Sequence, residues 1–179
     1  MAARSTDERY GRVAVILHWL SAALIIGLMM AGYRAADAVD AQAKAAILRL
    51  HVPIGILVLV LTLARIGWWL AADRTRPGAP PGTPHVQALV ARVVHRLLLL
   101  GVVLAGLSGI ALMVLSGAGA VLFDGAPGPL PEFWDYPPRW VHWAMGQLLS
   151  LLLLVHIAAA LYHHFWRRDR IFARMGFGR

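Results

Sequence analysis

Two histidines fourteen residues apart, His142 and His156, lie in one long apolar run, and two more, His18 and His51, lie near the starts of two others. Fourteen residues is close to four helical turns, so both imidazoles project from one helix face, about 21 Å apart along the axis. That spacing suits two stacked cofactors, one near each surface of a membrane. Ionisable groups inside a membrane are costly and usually functional. The chain has no cysteine, which excludes a disulfide, an iron–sulfur cluster and a covalently attached c-type haem, so any metal must lean on histidine. Helix packing or snorkelling accounts for any one of these histidines, but poorly for four at paired depths. A b-type haem held by two histidines accounts for all four at once. Its iron takes an imidazole from each side, keeps no position open for a substrate, and transfers electrons.

A second pattern separates these four from the remaining histidines. A small residue follows each one four positions later: Ala22, Gly55, Gly146 and Ala160. A flat macrocycle lying against a helix needs clearance one turn from its ligand, so Gly55 and Gly146 are candidate cofactor-contact residues. His95 is followed at this offset by Leu99, and His163 by Arg167.

The elements that must position these residues are membrane helices. Of 179 residues, 59% are hydrophobic, and the mean hydropathy is +0.64, which marks an integral membrane protein in contact with lipid. The net charge of +8 does not indicate nucleic acid, because the basic residues gather at the ends of apolar segments and form no stripe with interleaved aromatics. Four spans are expected, at about Val13–Tyr33, Ile47–Ala71, Val86–Leu115 and Pro138–Trp166, each long enough for a hydrocarbon core of about 30 Å. Polar or Pro/Gly-rich loops at Arg34–Lys44, Asp73–Pro84 and Gly117–Pro137 join them. The expected fold is all-α, a four-helix transmembrane bundle forming a single domain over residues 1–179. The first apolar run is too long for a signal-peptide core and has no convincing small-residue cleavage site, so it reads as a retained helix.

Charge sets the expected orientation. Arg4, Arg9, Arg12, Arg65, Arg74, Arg76, Arg92, Arg96, Arg167, Arg168, Arg170, Arg174 and Arg179 fall on one side, and Arg34, Lys44, Arg49 and Arg139 on the other. This asymmetry puts both termini in the cytoplasm. His51 and His142 then sit just inside the outer surface, and His18 and His156 in the inner half. His95, His163 and His164 are expected to be shallower on the cytoplasmic side, with His85 in the solvated loop region.

His18-Trp19, His51 and the run His142-x13-His156-x6-His163-His164 resemble the bacterial cytochrome b561 family over nearly the whole chain. That family is similar in architecture to the cytochrome b subunits of formate dehydrogenase and nickel–iron hydrogenase, which hold two b haems and exchange electrons with quinone. The resemblance implies two haem b groups in a bacterial inner-membrane protein. It pairs His51 with His142 on the outer iron and His18 with His156 on the inner one.

The short stand-alone members of the family are similar to superoxide oxidase, which passes electrons from periplasmic superoxide to ubiquinone. Arg49 and Arg139 flank the outer histidines, with Lys44 nearby, and local positive charge attracts a small anion. Against this, Asp37, Asp40, Asp124, Glu132 and Asp135 make the outer loops net negative, and either arginine also reads as an interfacial snorkelling residue. At the inner surface His163 and His95 are candidates to hydrogen-bond a quinone and relay a proton; the competing reading gives them to haem propionates. Arg65 is the best candidate propionate partner. The alternative function is a cytochrome b subunit relaying electrons between a dehydrogenase or other redox protein and the quinone pool.

Overall fold

The computed structural model describes residues 2–80, 82–169 and 171–176. Arg170 and Arg179, two of the cations used to orient the chain, lie outside the described residues. Among the described residues there are helices and turns but no strands. The helices are α1 (Arg12–Asp37), α2 (Ala41–Ala71), α3 (His85–Leu115), the short α4 (Ala118–Phe123), α5 (Pro137–Tyr162) and a final turn, α6 (Ile171–Arg174). A 3-10 turn, Phe133–Asp135, precedes α5, and a π turn, His163–Arg167, extends it. Among the described residues four helices are long and apolar enough to cross a membrane, with mean hydropathies of 2.0–2.6 over their most apolar windows.

The first connection departs from expectation. Arg34–Lys44 was expected to be a polar loop, but α1 continues to Asp37 and α2 begins at Ala41. The reason is a cap: the Asp40 carboxylate accepts from the amides of Gln42 and Ala43 at 3.4 and 2.8 Å, satisfying donors that a helix start leaves free. The third connection, expected to be irregular, contains α4. Gly117 enters it in the left-handed region at φ 72°, a backbone conformation natural to glycine. Ala118 and Leu122 of α4 are buried. His85 is not in a loop but is the first residue of α3, and it is exposed.

α1 packs on α2, α2 on α3, and α3 on α5. Glycines on α3 make the last two approaches possible. A Cβ on Gly101 would meet Leu149 Cδ2 of α5 at 2.9 Å, and one on Gly106 would meet Leu59 of α2 at 3.1–3.2 Å. Small residues at such crossings let membrane helices approach closely, where no hydrophobic effect drives them together. α1 and α5 lack this close backbone approach. Tyr33 bridges them, its hydroxyl 2.6 Å from Gln147 Oε1 and 2.8 Å from Ser150 Oγ.

Both chain ends and the α2–α3 connection meet at one end of the bundle. Asp73, 2% exposed, accepts from the Ser5 amide at 2.8 Å and the Ser5 hydroxyl at 2.7 Å. Trp19 Nε1 donates to the Met175 carbonyl at 3.0 Å, and Arg174 donates to the Gly78 carbonyl at 2.6 Å.

Candidate functional site

Three helices bring these four histidines into the bundle as two facing pairs. His51 of α2 and His142 of α5 have ring centroids 6.1 Å apart, at an interplanar angle of 72°. His18 of α1 and His156 of α5 have centroids 6.3 Å apart, at 69°. A metal bound to two imidazole nitrogens at about 2 Å each separates ring centroids by roughly 6 Å. Each pair would therefore accommodate one iron between its rings.

The His51–His142 pair, expected on the outer side, is the more fully built. His142 Nδ1 donates to the Ala105 carbonyl of α3 at 2.9 Å, which puts the ring hydrogen on Nδ1 and leaves Nε2 with its lone pair free for a metal. Ser108 Oγ lies 3.4 Å from the same nitrogen. Nδ1 of His51 is buried near the Leu28 backbone without meeting hydrogen-bond geometry. Both rings line a cavity of about 280 Å³, walled otherwise mostly by apolar residues of α1, α2, α3 and α5. Gly55 and Gly146 line it, and a Cβ on either meets nothing within 4 Å. A largely apolar slot walled by imidazoles and glycines fits the flat face of a porphyrin.

Two glycines that the sequence pattern passed over also line this cavity, and they lie against the rings themselves. A Cβ on Gly32 of α1 would lie 3.3 Å from His51 Cε1, and one on Gly109 of α3 would lie 3.2–3.3 Å from the His142 ring. Neither is near its histidine in sequence, so only helix packing discloses them.

The His18–His156 pair, expected on the inner side, has a third imidazole beside it. The rings of His95 and His156 are 5.2 Å apart. This corrects the expectation that His95 is shallower than the inner pair: α3 places it alongside His156. That separation is shorter than roughly 6 Å, so an iron fits between His18 and His156 better than between His95 and His156. Arg65 of α2 interacts electrostatically with all three rings. Its guanidinium lies 4.6 Å from the Trp69 ring centroid, as does that of Arg76, and its Nε is buried without a partner. A cation with an unmet donor there suits a carboxylate such as a propionate.

The outer cations divide. Arg139 lines the cavity with its guanidinium 4.4 Å from the Trp134 ring centroid, and Lys44 lines it from the start of α2. Arg49 was expected to flank the cavity but turns away: its Nε donates to the Leu122 carbonyl at 3.1 Å, at the end of α4. The last carbonyls of a helix are free acceptors carrying partial negative charge, and they attract a guanidinium. Glu132 also lines the cavity, leaving the wall with one net positive charge from these three residues.

His163, a candidate to hydrogen-bond quinone, is 7% exposed and already paired, with Asp169 at Nδ1 and Gln87 at Nε2. His164 packs edge-on against Phe165 and Phe172.

A family model described as prokaryotic cytochrome b561 matches residues 9–178. The chain is 33% identical over 174 residues to cytochrome b562 of Cereibacter sphaeroides, covering 94% of this chain and 96% of that protein. It is 28% identical over 188 residues to cytochrome b561 homolog 2 of Escherichia coli, covering 98% of this chain and 95% of that one.

Proposed function

Because this chain belongs to the prokaryotic cytochrome b561 family and is a membrane electron-transfer cytochrome for which b-type haem is implied, we propose that it is a two-haem superoxide:ubiquinone oxidoreductase. His51 and His142 hold the outer haem, and His18 and His156 the inner one. Bound there, the haems supply one-electron transfer between the two membrane surfaces. Gly55 and Gly146 leave room for the outer macrocycle, Ala105 holds the His142 tautomer, and Arg65 receives a propionate of the inner haem. The chain lies in the bacterial inner membrane as a single domain with both termini cytoplasmic, in keeping with the arginine asymmetry.

The observation that carries the superoxide reading is the outer cavity itself, which joins His51 and His142 to Lys44 and Arg139. A small anion is drawn to such a wall, and a larger donor is not needed to reach the rings. Two superoxide anions release two electrons and leave as two dioxygen molecules; one ubiquinone takes those electrons with two protons. His163, near the inner end of α5, serves the quinone as hydrogen-bond donor and proton carrier, and His95 helps to line the inner haem site.

The test is spectroscopic. Superoxide added to the oxidised, purified protein is expected to give the reduced haem spectrum, and a soluble ubiquinone analogue to reverse it. If superoxide leaves the haems oxidised while quinol reduces them, the donor is a redox protein instead, and co-purification from native membranes identifies it.

A further inference from the structure

The end of the bundle where Ser5 meets Asp73 and Arg174 meets Gly78 also holds a hydrogen-bonded chain that electron transfer alone does not require. α5 leaves its regular course at His163, where the π turn His163–Arg167 begins; π turns within helices recur at functional positions. The turn closes on Arg168 at φ 54°, a strained conformation for a side chain bearing a Cβ. It carries the chain back so that Asp169 meets His163. Nδ1 of His163 is hydrogen-bonded to Asp169 Oδ2, and Nε2 lies 3.0 Å from Gln87 Nε2 on α3. Arg167 completes the ring, donating to Gln87 Oε1 at 3.4 Å and to the Gly82 carbonyl at 3.3 Å, with its Nε 3.7 Å from Asp169 Oδ2.

These partners determine where the hydrogens are. Arginine only donates, so the Gln87 amide turns its oxygen to Arg167 and its nitrogen to His163. An amide nitrogen also only donates. His163 Nε2 must therefore accept, and the ring hydrogen sits on Nδ1, given to the Asp169 carboxylate. If the ring takes a second proton, at Nε2, two donors face each other across 3.0 Å, and the Gln87 amide has either to flip, giving up its bond from Arg167, or to leave. Gln87 thus occupies a position that, over a protonated His163, suits only an acceptor. Among the described residues, the charged groups around this ring are Asp169 directly and Arg167 through Asp169 and Gln87.

We propose that Asp169 is the positioning residue that lets His163 carry a proton to the quinone, and that Gln87 Nε2 holds the place of a quinone carbonyl oxygen. This rests on the reading that quinone is reduced at this end of the bundle. His163 gains a proton at Nε2 from water at the membrane surface, and the Asp169 carboxylate stabilises the resulting imidazolium through Nδ1–H, as a carboxylate does behind a general-base histidine. Gln87 withdraws, and the carbonyl oxygen accepts the Nε2–H bond. As the quinone is reduced by two electrons, drawn from two superoxide anions that become dioxygen, His163 delivers one proton to that oxygen. Water at the same surface supplies the other proton to the opposite carbonyl. The ring returns to its neutral tautomer with Nδ1–H still on Asp169.

The experiment follows reoxidation of the reduced haems in the intact haem-loaded protein by a short-chain ubiquinone analogue. Asp169→Asn is expected to slow it by about ten-fold or more, because an amide can present N–H to Nδ1 and hold the wrong tautomer. Haem spectra and reduction by superoxide remain as in wild type, and Asp169→Glu restores most of the rate. Gln87→Leu removes the competitor and is expected to lower the half-saturating quinone concentration by roughly two-fold or more. If His163→Ala slows reoxidation but Asp169→Asn does not, or if Asp169→Glu fails to rescue a variant whose haem spectra are intact, the role of Asp169 is overturned and the quinone reading stands. An unchanged or raised half-saturation in Gln87→Leu overturns the place-holding role. If His163→Ala reoxidises at the wild-type rate, the quinone reading at this histidine fails as well.

Discussion

At the residue scale, imidazole separations make a sharp claim. His51→Ala and His142→Ala should each abolish the same haem, and His18→Ala and His156→Ala the other, read as loss of one component in a redox titration. His95→Ala should keep both haems, because the 5.2 Å between His95 and His156 suits an iron less well than the 6.3 Å between His18 and His156. Loss of a haem in that variant would require a different pairing. The cations make a second claim. Lys44 and Arg139 face the cavity, whereas Arg49 is spent on the Leu122 carbonyl. Lys44→Gln with Arg139→Gln should therefore slow haem reduction by superoxide by roughly ten-fold at low salt and flatten its salt dependence, since added salt screens such steering. Stopped-flow traces with Arg49→Gln should stay close to wild type; a large slowing there would return Arg49 to the anion path.

At the element scale, the outer slot depends on glycines of two kinds. Gly146 faces open space, so Gly146→Ala should be accepted, while Gly146→Leu should fill the slot and exclude or displace the outer haem, leaving the inner spectrum intact. Gly109 lies against His142, and even the single carbon of Gly109→Ala would sit 3.2–3.3 Å from the ring. That variant should retain the haem but shift its potential, because it disturbs the ligand and its hydrogen bond to Ala105. Equal tolerance of leucine at both positions would remove the slot as the reason for these glycines. The open seam between α1 and α5, bridged by Tyr33, Gln147 and Ser150, is where these helices contact each other through side chains instead of backbone.

At the scale of the whole molecule, one end of the bundle is tied together by polar contacts between segments distant in sequence. Asp73 meets Ser5 across 68 positions of chain, and Trp19 meets Met175 across 156. Asp73→Ala would remove both hydrogen bonds to the half-buried Ser5 and should destabilise the folded protein by about 1–3 kcal/mol, visible as a lower midpoint of thermal unfolding in detergent. An unchanged midpoint would mean that the N-terminal segment is held by other contacts. The assembled bundle offers two facing imidazole pairs, so a pyridine haemochrome assay should return two haems per chain.

Four long apolar runs, cations at their ends and a histidine run matched to a family were all legible in the sequence, because hydropathy and helical period are local properties that a membrane imposes on each span separately. Periodicity also put His142 and His156 on one face of α5. What faced that side was decided by packing: α2 and α1 bring His51 and His18 to the two rings, while α3 sets His95 beside His156, where depth along the chain had placed it nearer the surface. The same is true of Arg49, which turns toward an acceptor created only when α4 forms. Gly32, Gly109, Gln87 and Asp169 carried no sequence signal of their own, since each acts on a side chain from another element or across a turn whose π geometry periodicity does not predict. Local sequence determines which groups are available in each span; the register between helices determines which of them meet.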